Sequence, residues 1–205
     1  MQTQTKESQS RLSPEQALEL LVKGNTRFLK TNQHNRNLLK QAEETSKGQF
    51  PFAAILSCID SRTSSELIFD QGMGDVFSIR IAGNIINEDV LGCMEFACKA
   101  AGSKLVMVLG HTSCGAVKGA CTKVEMGNLT GLLQKIQPSV ARVTADDGSE
   151  VDPDKVSHIN VDHSIDEILR KSPIIQELLN NQEIGLVGAM YNVSTGQVTI
   201  TNKKF

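Results

Sequence analysis

Lys104-Leu105-Val106-Met107-Val108-Leu109-Gly110 runs straight into His111-Thr112-Ser113-Cys114. The first seven residues are too short for a membrane span and too continuously apolar for a strand with one wet face. They read as a strand buried on both faces, the signature of a parallel sheet covered by helices. The four that follow place an imidazole and a thiol just beyond the strand's carboxyl end, where open α/β sheets form their sites.

A second stretch repeats this arrangement. Phe52 to Cys58 (FAAILSC) is another short apolar run, and it leads into Cys58-Ile59-Asp60-Ser61-Arg62. Val76 to Ile81 and Gly185 to Val193 read as further strands, the latter turning at Ser194-Thr195-Gly196 into Gln197 to Thr201. Helical spacing separates them: Asn87 to Ala101, Ala116 to Met126, Leu129 to Ile136, Ile165 to Arg170 and Pro173 to Asn180. Strands alternating with helices predict one α/β domain, its mostly parallel central sheet flanked by helices.

An N-terminal helical arm precedes the sheet. Ser13 caps, Pro14 suits the first turn and Gln16 completes a capping box; Ala17, Leu18, Leu21, Val22, Phe28 and Leu29 follow on one stripe. Residues 1–12 read as a flexible tail and 13–205 as a single catalytic domain including the arm. Thr31 to Gln49 is polar and irregular or partly helical, and Arg142 to His158 reads as an acidic surface loop.

The chain has 205 residues, 40% hydrophobic and 21% charged, with a formal net charge of −2. That suits one domain with a sizeable core and gives no reason to expect nucleic acid or a membrane as partner. Met1 to Ser10 lacks the apolar stretch of a signal peptide. The five cysteines are odd in number and sit in a chain too long to need a disulfide scaffold. Free thiols or metal ligands in a reducing cytoplasm are the expectation.

Zinc favours thiolate and imidazole ligands, and three of them leave one coordination position open, as in catalytic sites. Cys58, His111 and Cys114 supply such a set if the topology brings the two strand ends together. A core histidine beside two buried thiols is the plainer alternative for H-x-x-C alone. Asp60 and Arg62, two residues apart on an extended segment, point to one side and can form a two-pronged ion pair. On an ordinary surface that pair would contribute little; beside a metal it can steer a reacting water.

Cys-x-Asp-x-Arg followed by His-x-x-Cys resembles the signature of the β-class carbonic anhydrases. Ser64 to Phe69 (SSELIF), Gly74 to Arg80 (GDVFSIR) with Ala82-Gly83-Asn84, and Gly110 to Ala120 (GHTSCGAVKGA) extend the likeness over nearly the whole chain. The resemblance implies reversible hydration of carbon dioxide to bicarbonate, one Zn²⁺ held by Cys58, His111 and Cys114, and Asp60 with Arg62 as the catalytic dyad. It also implies Gly115 as a donor to substrate oxygen and a homodimer or larger assembly, with N-terminal helices lying across the partner. One bicarbonate-gated subset carries tryptophan three residues before the first cysteine ligand. Ile55 stands there in this chain, so the expected arrangement is open, with Asp60 paired to Arg62. Hydrolysis of a carbon dioxide relative, such as carbonyl sulfide or carbon disulfide, and a non-enzymatic zinc protein are the competing readings. His34, His158 and His163 are proton carriers by residue type only.

Overall fold

Leu105–His111 is the middle strand of a five-stranded sheet, buried along its whole length. The computed structural model describes residues 3–143 and 151–205. In chain order the elements are α1 (Lys6–Arg11), α2 (Pro14–Leu29), α3 (Leu38–Thr45), β1 (Ala53–Ser57), α4 (Ser65–Ile68) and β2 (Val76–Arg80). A 3-10 turn (Ala82–Asn84), α5 (Glu88–Glu95) running into a π-helical turn (Phe96–Ala100), β3 (Leu105–His111), α6 (Gly115–Cys121), α7 (Gly127–Gln134) and α8 (Gln137–Ala141) follow. The described chain closes with α9 (Pro153–Lys171), α10 (Pro173–Asn180), β4 (Gly185–Tyr191) and β5 (Val198–Lys204).

The strand order is β2-β1-β3-β4-β5, parallel except for the antiparallel β4–β5 pair. Alternation along β3 divides the interior in two. Leu105, Met107 and Leu109 pack with Phe52, Ile55, Phe69 and the α2 residues Ala17, Leu18 and Leu21. Val106 and Val108 pack with Val90, Met94, Val161, Ile165 and Ile168 from α5 and α9. Each of these fully buried large apolar side chains contributes about 1.5–3 kcal/mol, so two covered faces hold the sheet rigid beneath the strand ends. A third cluster, built on Val117, Ala120, Leu133, Ile136, Val140 and Val156, packs around Cys58 and Cys114.

The expected helical arm is present, with the Ser13–Gln16 capping box formed at both ends. Its Ala17, Leu18 and Leu21 are buried against the chain's own sheet, while Val22 and Leu29 stay 44% and 43% exposed. At Gly24 a Cβ would stand 1.7 Å from the Phe69 carbonyl oxygen, so only glycine lets α2 approach this closely.

Three sequence expectations are corrected. Lys6–Arg11 is a capped helix rather than part of a flexible tail, and its Gln9 is buried, donating to the carbonyls of Pro51 (2.8 Å) and Ala101 (2.9 Å). The helix begun near Ala116 ends at Cys121, not Met126. Lys123 takes φ 53°, and the N–H groups of Lys123 and Val124 close back on Ala120 and Gly119, a Schellman ending built without glycine. Residues 144–150 of the expected surface loop lie outside the described residues, but Pro153 to His158 is the start of the 19-residue α9. Asp152 caps that helix and Pro153 occupies its first turn. No helix among the described residues is long and apolar enough to cross a membrane.

Candidate metal centre

Strands β1 and β3 are parallel neighbours with Ser57 level with Leu109. Cys58 leaves the first strand and His111 ends the second, so the register alone brings these two side chains to one edge. The chain then turns through Ser113 at φ 54° and delivers Cys114 just ahead of α6. Cys58 Sγ, His111 and Cys114 Sγ offer ligand atoms all within 4.8 Å of one another, the one such group of histidine, cysteine and carboxylate donors among the described residues. All three side chains are buried.

Zinc fits this cluster. The two sulfurs are 4.0 Å apart, close to the roughly 3.8 Å that two Zn–S bonds of about 2.3 Å would span across a tetrahedron. His111 Nδ1 lies 2.9 Å from the Thr112 carbonyl oxygen. With Nδ1–H donating there, the tautomer leaves the lone pair on Nε2, which is buried and has no hydrogen-bond partner. A buried polar atom left alone costs about 1–3 kcal/mol; a metal ion is the partner this one lacks.

The thiols are tuned in opposite directions. A hydrogen bond from Cys114 pulls Cys58 down against the cost of burial, and the Gly83 N–H, 3.3 Å away, assists. The same bond and burial push Cys114 up. A cation between the two sulfurs would take the place of that hydrogen bond and stabilise both as thiolates.

Asp60 stands outside the cluster, beside it. Arg62 grips it with Nε on Oδ1 (2.9 Å), Nη2 on Oδ2 (2.8 Å) and its backbone N–H on Oδ1 (2.9 Å). These bonds hold the carboxyl well below the usual carboxylate range, even against some desolvation. Arg62 Nη2 also reaches the Ser113 carbonyl at 3.3 Å, tying the two motifs together. Arg80, unassigned in the sequence reading, fixes the loop from below by donating to the carbonyls of Cys58 (3.0 Å) and Asp60 (2.6 Å).

A cavity of ≈ 330 Å³ opens beside Cys58 and Asp60, walled by Ala82, Gly115, Ala116, Val124, Leu129 and Leu133 among others. Gly115 begins α6 here, and a Cβ on it would meet nothing within 4 Å, so it relieves no crowding in the protein. None of the other three histidines lines this cavity. His34 lies by Asp70, while His158 and His163 are on α9. Besides Arg80, two contributors escaped the sequence reading. The Gly83 N–H carries no side-chain signal. Asp154, which accepts from the Ser113 N–H at 2.7 Å, lies just after the Asp152-Pro153 helix start, the signal that would have found it.

Fold and cluster together define an α/β metalloprotein with three buried soft ligands and a carboxylate poised next to them. The profile of the carbonic anhydrase family matches residues 53–198. Carbonic anhydrase 2 of Mycobacterium tuberculosis is 34% identical over 194 residues, covering 92% of this chain and 93% of that protein. The carbonic anhydrase of Mycolicibacterium smegmatis is 30% identical with the same coverage. Among solved structures, the β-carbonic anhydrase CafA of Aspergillus fumigatus superposes with a TM-score of 0.70 at 25% identity, covering 80% of this chain and 85% of its own. One of the two tetrameric β-carbonic anhydrases of Sordaria macrospora gives 0.73 at 22% identity, covering 80% and 87%, a likeness of fold. The chain belongs to the β-carbonic anhydrase family.

Proposed function

We propose that the chain catalyses the reversible hydration of carbon dioxide to bicarbonate and a proton, with one zinc ion held by Cys58 Sγ, His111 Nε2 and Cys114 Sγ. One observation carries this reading: three buried ligand atoms, of which His111 Nε2 has no hydrogen-bond partner, lie next to an ionised carboxylate that Arg62 holds at the mouth of a largely apolar cavity. Zinc bound there supplies a Lewis acid that makes water nucleophilic near neutral pH.

The chain's own residues do the rest. Asp60 accepts a hydrogen bond from the attacking water and so turns an oxygen lone pair toward the cavity. Arg62 keeps Asp60 ionised and aimed, since its planar guanidinium matches both carboxylate oxygens. Ala116, Val124, Leu129 and Leu133 receive a small apolar substrate and disfavour the charged product. The Gly115 N–H, at the start of α6, is placed to donate to a substrate oxygen. Exposed apolar side chains on the cavity wall, Ile59 (61%) and Val124 (42%), support a homodimer or larger assembly that covers them.

The test is metal analysis and stopped-flow carbon dioxide hydration on purified protein. About one zinc per chain and rapid hydration are expected, both lost together in Cys58→Ser. Full zinc with no hydration, or turnover of carbonyl sulfide or carbon disulfide in its place, would overturn the reading. Light scattering that finds a monomer at micromolar concentration removes the assembly.

A further inference from the structure

Helix α9 presents an unusual face to the core. Val156, Val161, Ile165 and Ile168 are buried as packing requires, but Ser157, Asn160 and Ser164 are buried on the same side. Asn160 is 1% exposed and Ser164 2%. Polar groups this deep destabilise a core unless each is paired, and here the pairs are informative. Asn160 Nδ2 donates to the Gly83 carbonyl at 2.8 Å, and Ser164 Oγ donates to the Asn84 carbonyl at 3.0 Å. Ser139 Oγ, 0% exposed, holds Asn160 from behind by donating to its Oδ1 at 3.2 Å.

The backbone so held passes through the left-handed region at two successive residues. Gly83 and Asn84 both have positive φ, 67° and 42°. Asn160 fixes the Gly83 carbonyl on one side of the residue. The Gly83 N–H, on the other side, points at Cys58 Sγ. At the opposite end of the helix's buried face, Asp154 Oδ1 accepts from the Ser113 N–H at 2.7 Å. Ser113 is the other non-relaxed residue of the site, at φ 54°, and its carbonyl accepts from Arg62. One helix therefore grips the loop between His111 and Cys114 with its first turn and the turn behind Cys58 two turns later.

We propose that α9 is the positioning element of the metal centre. Asn160 aims the Gly83 N–H at the Cys58 sulfur, and Asp154 holds the Ser113 N–H, fixing the residue that leads into Cys114 and whose carbonyl receives Arg62. The inference rests on the metal-binding reading above. An N–H donor on a metal-bound sulfur withdraws electron density from it, so the Asn160–Gly83 bond tunes the ligand as well as placing it. Neither residue touches substrate.

The test uses the full-length protein loaded with Co²⁺ or Zn²⁺, in wild type and in Asn160→Ala, Asp154→Ala and Asp154→Asn. Two readouts are taken besides activity: the sulfur-to-cobalt charge-transfer band, and zinc affinity by chelator competition. Asn160→Ala should weaken zinc binding about tenfold or more and move the band to lower energy, because the Gly83 N–H is no longer held on the sulfur. Asp154→Ala should also weaken binding and lower kcat. Asp154→Asn should restore both, since it keeps the acceptor oxygen. If Asn160→Ala does not fold, the two Asp154 variants decide, because Asp154 is only partly buried. Variants that bind and absorb as wild type does while only melting lower would overturn the proposal and leave α9 as ordinary packing. A wild-type chain that binds neither metal would instead overturn the metal reading itself.

Discussion

Asp60 and Asp70 are both aspartates gripped by arginine, ten positions apart, and the protein uses them in opposite ways. Asp70 is sealed: its side chain is 2% exposed, against 7% for Arg36 and 23% for Arg27. Arg27 and Arg36 take one carboxylate oxygen each, the His34 N–H adds a bond at 3.2 Å, and Arg36 also reaches the Asp70 carbonyl. Burial closes this carboxylate to any outside partner, so it anchors the chain between α2 and α3 to the end of α4. Asp60 has one arginine, keeps 16% of its side chain open, and faces a cavity beside three metal-type ligands. Arginine pairing alone does not mark a reacting carboxylate. Exposure to an open cavity beside metal-type ligands does.

Removing the charge of Asp70 should give the largest effect. Asp70→Asn suits the residue's φ of 46°, which asparagine tolerates, so the change isolates the carboxylate. Two arginines are left beside a neutral amide in a buried site, and the loss should be about 3 kcal/mol of stability. Denaturant unfolding checks this, with kcat/KM per folded molecule expected within about twofold of wild type. The dependence on acid follows with its sign. Burial pushes the Asp70 carboxyl up, but Arg27, Arg36 and the His34 N–H outweigh it, and the folded group sits below its ordinary value. The stability it contributes is present above the unfolded pKa of about 3.9 and is lost as pH falls through the lower folded value. The gap between wild type and Asp70→Asn should therefore close in acid. A gap that widens there would mean Asp70 is not the ionised anchor.

Asp60→Asn should reverse the balance. Its kcat/KM should fall about a hundredfold, close to 2.7 kcal/mol of transition-state stabilisation. Zinc content should be unchanged and stability altered by less than about 1 kcal/mol, because the Arg62 partner is half in solvent. An Asp60→Asn enzyme as fast as wild type would collapse the contrast between the two aspartates.

Arg62→Lys asks whether shape or charge matters at the open site. Lysine keeps the cation but cannot hold both carboxylate oxygens and the Ser113 carbonyl as one planar fork. A loss of about tenfold in kcat/KM, near 1.4 kcal/mol, is expected. Wild-type activity in Arg62→Lys would reduce the arginine to a nearby charge.

The same contrast explains what the sequence made legible. The ligands could be read because β1 and β3 are unbroken apolar runs, so the residues after Ser57 and Gly110 had to emerge at one sheet edge. The dyad could be read because Asp60 and Arg62 are close in sequence. Asp70 could not, since its partners lie in α2 and in the polar stretch after it, a pairing only the folded chain makes. All of helix α9 but its Ile165 to Arg170 end was hidden for a related reason. Ser157, Asn160 and Ser164 occupy its buried face, which breaks the apolar periodicity that reveals a helix, and its opening turns passed for surface loop. Helix α1 was hidden because a glutamine, not an apolar stripe, docks it. In each case the missed element is held by buried polar pairs, which leave no periodic trace.

Glu167 provides the smallest effect and the cleanest control. Like Asp70 it has two cations, Arg170 at 2.8 Å and Lys171 at 2.6 Å, but both are supplied by its own helix α9 and are 64% and 40% exposed. If the number of cations set the strength of an anchor, Glu167 would match Asp70. Burial argues otherwise: pairs of this spacing on a wet helix face contribute a few tenths of a kcal/mol each. Glu167→Gln should therefore cost less than about 1 kcal/mol and leave hydration untouched. The Arg170 hydrogen bonds, with help from Lys171, bring the Glu167 carboxyl down to about 2. Its contribution is thus complete above the ordinary value of 4.5 and fades as pH falls from there toward about 2. Added salt separates the two anchors further. Screening should erase most of the Glu167 difference by about 1 M, where the Debye length is roughly 3 Å, and leave most of the Asp70 difference standing. Equal salt sensitivity in the two variants would show that Asp70 is no better shielded than a surface pair, and the distinction between the sealed and the open aspartate would lose its physical basis.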